Sequence, residues 1–187
     1  MNQPDFLAAL TTAVTDQRRT VQLELSLLDA AQLNQRLTSG SWSALECLEH
    51  LNRYSRYYHP ALAAALSRSA APSAAPVAYS WLGAKSVALV RPDNQKKQAT
   101  LRHMNPLGSR LDAPAVLAEF DQHQARLLEL LTQAAATDLN RRAVPVEFFR
   151  LLKLRLGEAL EFVVVHQQRH LGQALRTQAA LRPALAC

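Results

Sequence analysis

Apolar residues recur every three or four positions along four long stretches of the chain, which is the pattern of amphipathic α-helices. The stretches are Pro4–Asp29, Ser43–Leu66, Asp112–Ala135 and Glu147–Thr177. Helices of this kind bury their apolar faces best against one another. The pattern therefore predicts an all-α fold, a four-helix bundle.

The sequence contains N-terminal capping motifs for two of these helices. Ser43 and Glu46 have the spacing of a capping box, in which each side chain bonds the backbone amide of the other. Asp112 followed by Pro114 offers an N-cap residue with a proline in the first turn. Pro60 lies inside the second helix and removes a hydrogen bond there, so we expect a kink or a break near Tyr58.

The segment of residues 69–111, between the second and third helices, differs from the rest of the chain. Prolines and glycines interrupt it, and pieces such as Ser86–Val90 are predicted as short strands. About 40 residues is small for an independent core, so we interpret the segment as a long crossover inside a single domain of residues 1–187. A crossover of this length permits the second and third helices to run parallel, in an up-down-down-up order.

Composition excludes several classes of protein. The 187 residues include 2 Cys, too few for a disulfide scaffold, and 5 Gly, with no phosphate-binding loop motif. No apolar run approaches the ~18 residues of a membrane span, and the first residues do not resemble a secretory signal. A cytoplasmic protein is expected.

Three histidines are the candidates for chemistry. His166 and His170 are four residues apart, which puts both rings on one face of the last helix. His50 lies near the start of the second helix, and an antiparallel arrangement of these two helices would bring it to the same end of the bundle. Three imidazoles would leave an open coordination position, as in catalytic metal sites. Imidazole suits zinc, nickel, iron and copper, so the ligands do not select the metal.

Three further side chains lie one helical turn from these histidines. Gln173 follows His170 and could orient a ligand or a bound water. Glu46 precedes His50 and could act as an acceptor or a base, although capping of the helix is the favoured interpretation. Tyr54, one turn after His50, is assigned to core packing or to the cavity wall.

The other polar candidates are interpreted as structural. His59, His103 and His123 are predicted to be exposed to solvent. Cys47 is predicted to be a small core residue.

Two motifs resemble those of a known family. The segment SWSALECLEHL, residues 41–51, is similar to the beginning of DinB-like proteins, and HQQRHLGQ, residues 166–173, is similar to their H-x-x-x-H-x-x-Q ending. The resemblance implies a four-helix bundle, often a homodimer, with a divalent metal held by His50, His166 and His170. Relatives include thiol-dependent S-transferases and a mycothiol-dependent isomerase. The resemblance thus implies a small-molecule substrate, zinc or nickel as the metal, and a low-molecular-weight thiol as a further reactant.

The function stays open between several classes. A metal-dependent transferase or hydrolase is the first hypothesis, and a non-catalytic, stress-related metal-binding bundle is the alternative. Binding of nucleic acid is not expected, because no helix-turn-helix or zinc-finger pattern accompanies the net charge of +6.

The positive charge is concentrated in the crossover. It contains one acidic residue, Asp93, and the basic residues Lys85, Arg91, Lys96, Lys97, Arg102 and Arg110. We hypothesise that its later part, with Arg102 and Arg110, lies beside the three histidines and attracts an anionic substrate or thiol. A solvated loop is the alternative.

Overall fold

The computed structural model describes residues 1–68, 71–73, 75–94, 96, 99–147 and 149–181. The helices are α1 (Gln3–Thr20), α2 (Ala30–Asn34), α3 (Ala44–Leu66), α4 (Trp81–Val90), α5 (Ala113–Ala134) and α6 (Leu156–Leu181). A π-helical turn, Val21–Leu25, extends α1, and a 3₁₀ turn, Arg102–Met104, precedes α5. The strands are β1 (Arg142–Val146) and β2 (Phe149–Arg155).

The predicted bundle of helices is confirmed, with α1, α3, α5 and α6 as its long members. Helix α3 packs against α5 and α6, and α1 packs against the same two helices. Both sequence-encoded starts are present. The Ser43 hydroxyl accepts from the Glu46 amide at 3.1 Å, and the Glu46 carboxylate accepts from the Ser43 amide at 2.9 Å. Asp112 accepts from the Ala115 amide at 3.3 Å.

Helices α3 and α5 run in the same direction. Near the start of α3, the Asn52 side chain donates to the Val116 carbonyl at 3.0 Å. Two turns later, the His59 ring lies 5.1 Å from that of His123. The contacting residues of α3 and α5 both rise in number in the same direction, so the two helices are parallel.

Helix α6 runs antiparallel to α3. His50 faces His166, whereas Tyr58, further along α3, lies 5.5 Å from Phe162, which comes earlier in α6. This antiparallel pairing brings the beginning of α3 to the middle of α6.

The predicted start of the last helix, Glu147, is wrong. Strands β1 and β2 pair there as an antiparallel hairpin, with Val144 opposite Leu154, and α6 begins only at Leu156. Leu154 is buried, whereas Leu151 is 84% exposed and Leu152 is 38% exposed, so of these three leucines only Leu154 enters the core. A short apolar run fits the period of a helix or that of a strand, and its contacts with the bundle select the strand. The described part of the fold is therefore mainly helical with one hairpin, and Phe148 lies outside the described residues.

Three smaller predictions about the helices are also corrected. Residues 86–90 belong to helix α4, which Ser80 caps by accepting from the Gly83 amide at 3.0 Å, and do not form a strand. Helix α3 continues through Pro60, so of the predicted kink or break, the break is wrong and the kink stays a prediction. Pro60 is exposed there, so water can reach the carbonyl that its missing amide leaves unpaired. The first helix ends before Asp29, which instead caps the short helix α2.

The core consists of two clusters of buried side chains. The hairpin-side cluster includes Leu10, Val14, Tyr58, Leu127, Val144, Leu154, Leu160 and Val164. The cap-side cluster includes Val21, Leu45, Leu48, Leu51, Phe120, Leu171 and Ala174. Within the described part of the chain, no helix is long and apolar enough to cross a membrane.

Candidate metal centre

Three histidines from two helices converge inside the bundle. His50 comes from the second turn of α3, and His166 and His170 come from successive turns of α6. One ring nitrogen from each lies within 4.8 Å of the others. The Nε2 atoms of His50 and His166 are 3.3 Å apart. The antiparallel pairing of α3 and α6 thus produces the convergence that the sequence predicts.

Hydrogen bonds to the Nδ1 atoms fix two of the rings. His50 Nδ1 donates to the main-chain carbonyl of Met104 at 2.8 Å. His170 Nδ1 donates to Oε1 of Gln173 at 3.0 Å. An imidazole that donates from Nδ1 carries its lone pair on Nε2 when it is neutral. Gln173 therefore orients a histidine, as an outer partner does in metal sites.

All three imidazoles are neutral at pH 7. Burial lowers the pKa of His50 to about 4 and that of His170 to about 3. The pKa of His166 is well below its ordinary value, first because of burial and then because His170 and His50 are adjacent. Neutral imidazole is the form that binds metal. Three neutral, closely spaced nitrogens, with outer partners on two of the rings, are a suitable donor set for a divalent ion.

Trp42 covers one side of the cluster. Its ring lies 4.7 Å from the His50 ring and 5.5 Å from the His170 ring. Its indole Nε1 donates to Oδ1 of Asn105 at 3.1 Å. The sequence presented Trp42 only as part of a motif, whereas the structure makes it a wall of the site.

Two more aromatic rings enclose the histidines from the hairpin side. Tyr54 lies 4.8 Å from the His50 ring and 4.4 Å from the His166 ring. Phe162 stacks on His166 at 5.7 Å. The site is therefore an aromatic-lined, poorly hydrated environment, which strengthens electrostatic interactions inside it.

The later part of the crossover lies against the site at Met104 and Asn105. The position of Arg102 and Arg110 beside the histidines stays a hypothesis. Arg53, one turn after His50, donates to the carbonyls of His103 at 3.2 Å and Asn105 at 3.0 Å. These two bonds bracket Met104, whose carbonyl holds His50. Sequence reasoning missed Met104 because its contribution is a backbone carbonyl, which any residue possesses.

A match over most of the sequence shows the family of the chain. Residues 13–174, which include all three histidines, match the family described as the DinB superfamily. The chain belongs to the DinB superfamily. A comparison with curated proteins gives no match.

One solved structure shares the fold of this DinB-superfamily chain. It is YfiT from Bacillus subtilis, described as a probable metal-dependent hydrolase with an unusual four-helix bundle topology. The two are 15% identical with a TM-score of 0.57, and the likeness covers 96% of this chain and 87% of that one. At this identity the likeness concerns the fold alone.

The hydrogen bonds of Glu46 stabilise the start of α3 in this DinB-superfamily chain. Besides the Ser43 amide, its carboxylate accepts from Arg36 at 2.8 and 2.5 Å and from the Gly108 amide at 2.8 Å. Burial opposes its ionisation, but these hydrogen bonds prevail and lower the pKa of Glu46. The acceptor for His50 is the Met104 carbonyl, so the contacts of Glu46 support the capping role.

Two of the remaining histidines differ from the predictions. His59 is 4% exposed and was predicted at the surface, which is wrong. His123 is partly buried against it, because the parallel packing of α3 and α5 encloses both rings. His103 is exposed, as predicted, and contacts Glu147. Cys47 is a core residue, also as predicted, and burial raises the pKa of its thiol.

Proposed function

We propose that this chain is a divalent-metal-dependent enzyme acting on a small molecule, with His50, His166 and His170 as the ligands. The observation that carries the proposal is the convergence of three neutral imidazole nitrogens within 4.8 Å. Three protein ligands leave a position open for water or substrate, which is the arrangement of catalytic sites.

Hydrolysis is the reaction that we favour. A zinc or nickel ion held there would supply Lewis acidity, which lowers the pKa of a coordinated water to about 7. The protein's own contribution is to fix the His50 and His170 rings through Met104 and Gln173, and to exclude bulk water with Trp42. The description of YfiT as a probable metal-dependent hydrolase supports this choice.

Transfer of a low-molecular-weight thiol is the second candidate. The described cysteine, Cys47, is fully buried and its thiol pKa is raised, so it does not supply a nucleophilic thiolate. A thiol reactant would therefore come from solution. The exposed, basic Arg102 and Arg110 flank the segment that carries Met104 and would attract an anionic thiol or substrate. A cytoplasmic homodimer is the assembly that we propose for this reaction.

Elemental analysis of the purified protein tests the metal site. One divalent ion per chain is expected in the wild type, and His166→Ala and His170→Ala are expected to lose it. His123→Ala is the control, because His123 lies on α5 outside the cluster and its ring contacts Glu119. Full metal occupancy in both ligand variants would reject the assignment.

Two further measurements separate the candidate reactions. Addition of a thiol to the cobalt-substituted protein is expected to change the visible spectrum only if the thiol binds the metal. A non-catalytic, stress-related bundle would lose thermal stability on chelation and show no turnover with panels of hydrolase and thiol-transfer substrates.

A further inference from the structure

The end of strand β1 lies against the crossover, close to the candidate metal centre. Glu147 follows Val146, a buried residue of β1, and the Glu147 amide donates to the Tyr58 hydroxyl at 3.5 Å. The Glu147 carboxylate contacts Nε2 of His103, which belongs to the 3₁₀ turn of the crossover. A side-chain contact between residues 44 positions apart thus joins the hairpin to the crossover.

The Glu147 side chain is nearly buried, although it is a carboxylate. It is 7% exposed, whereas the side chain of His103 is 64% exposed. Removing a carboxylate from water costs free energy unless the group is paired. His103 supplies such a partner, so the hairpin provides a carboxylate held by the core and the crossover provides the ring that meets it.

Met104 connects this contact to a proposed metal ligand. It follows His103 in the 3₁₀ turn, and its carbonyl accepts from His50 Nδ1 at 2.8 Å. The Met104 amide donates to the Leu101 carbonyl at 2.9 Å, which closes the turn. Neighbouring residues of a closed turn move together, because only two soft dihedral angles per residue separate them. The position of His103 therefore constrains the direction of the Met104 carbonyl.

The same turn has other contacts that come from a different part of the fold. Arg53 donates to the carbonyls of His103 at 3.2 Å and Asn105 at 3.0 Å, and the Trp42 indole donates to the Asn105 side chain at 3.1 Å. These donors belong to α3 and to the residues just before it. Glu147 belongs to the hairpin, so two separate elements hold the turn that orients His50.

We propose that Glu147 is a positioning residue for the candidate metal centre: it holds His103 and, through the 3₁₀ turn, keeps the Met104 carbonyl directed at His50. A neutral His50 that donates from Nδ1 has its lone pair on Nε2, the atom that faces His166. The inference rests on the proposed function, since its consequence for chemistry requires a metal at the three histidines. The orientation of His50 can nevertheless be measured in the metal-free protein, because the bond to Met104 involves protein atoms alone.

The tautomer of His50 in the metal-free protein tests the positioning, and the nitrogen chemical shifts of isotope-labelled histidine report it. The wild type is expected to carry the His50 proton on Nδ1. His103→Ala and Glu147→Ala are each expected to show both tautomers, because the Met104 carbonyl is no longer held in line. Glu147→Gln keeps an oxygen that can accept from His103 and should retain the wild-type tautomer. Lys153→Ala, at an exposed position of β2, is the matched control.

The zinc affinity of the same variants tests the consequence for the metal centre. Competition with a chromophoric chelator is expected to show a loss of about twofold to fivefold in His103→Ala and in Glu147→Ala, the size expected for a partly exposed pair. The double variant should lose no more than either single variant, because both substitutions remove the same contact.

Two results would overturn the proposal. One is an unchanged His50 tautomer in both single variants, and the other is a double variant in which the two losses of zinc affinity add. If Glu147→Ala does not fold, His103→Ala still decides, because the His103 side chain is exposed. A wild-type protein that binds no zinc would reject the proposed function, and the tautomer measurement would then decide separately whether Glu147 positions His50.

Discussion

His50 Nδ1 donates to the main-chain carbonyl oxygen of Met104 at 2.8 Å. This bond joins the beginning of α3 to the end of a crossover that started more than thirty residues earlier in the chain. It orients an imidazole of the candidate metal centre with a group that comes from outside the long helices. Placement of the crossover is therefore part of building the site.

Loosening the crossover is expected to weaken metal binding. Arg53→Ala removes the guanidinium that donates to the His103 and Asn105 carbonyls on either side of Met104. We expect a loss of about tenfold in metal affinity, measured by competition with a chromophoric chelator, because outer partners of ligands have effects of this size. Arg126→Ala, which breaks a surface pair with Glu129, is the control. Equal affinities in Arg53→Ala and the wild type would show that Met104 is held without this clamp.

Removing the acceptor of His170 is expected to have a similar effect. Gln173→Leu leaves Nδ1 of His170 without its partner and frees the ring to rotate. A decrease of about 10–100-fold in metal affinity is expected. Gln173→Glu keeps an acceptor at the same position and should restore most of the affinity. If both variants bind metal as the wild type does, Gln173 does not orient the ring.

Replacing Glu46 is expected to affect stability rather than metal content. Glu46→Ala leaves Arg36 and the Ser43 and Gly108 amides without their acceptor. Unpaired groups of this kind cost about 1–3 kcal/mol, and each kcal/mol corresponds to about 2–4 °C in a chain of this size. A lower melting temperature with one metal ion still bound per chain is the expected result. Loss of the metal at unchanged melting temperature would instead support a direct role in the site.

Buried His59 is expected to make the free energy of unfolding depend on pH. Burial lowers its pKa to about 3 from the 6.5 of an exposed histidine. Between these values the unfolded chain binds a proton that the folded chain does not. The free energy of unfolding therefore falls as the pH decreases below 6.5, by about 1.4 kcal/mol per pH unit for one histidine.

Urea denaturation of the metal-free protein at pH 7, 6 and 5 measures this dependence. His59→Leu is expected to make the slope shallower by about one proton. Because the neutral imidazole has no hydrogen-bond partner among the described residues, the substitution leaves no partner unsatisfied. An unchanged slope would mean that His59 is hydrated in the folded protein.

Local patterns predicted much of the fold correctly. The Ser43 and Asp112 caps and the apolar periods of four helices depend on residues close in sequence, and the structure contains them. The spacing of His166 and His170 is equally local, because a helix fixes the relation between positions four apart. The position of His50 required one more assumption, the antiparallel pairing of α3 with α6.

Non-local contacts account for the errors. Residues 147–155 have an apolar content that suits a helix or a strand, and the strand is selected because Leu154 enters the core beside Val144. His59 is polar and next to a proline, which suggested a surface position. It is buried because α5 packs parallel to α3 at that height.

The sequence alone determined the central parts of the four long helices, the Ser43 and Asp112 caps and which residue types could bind a metal, since these follow from neighbours within one or two turns. Only the tertiary structure decided that a Met104 carbonyl orients His50 and that His59 is buried against His123. A backbone carbonyl leaves no mark in the sequence, and a polar side chain such as His59 becomes buried only when a neighbouring helix packs over it. The physical reason is that the sequence encodes periods along each helix, whereas the relative heights of the helices are set by packing among all of them.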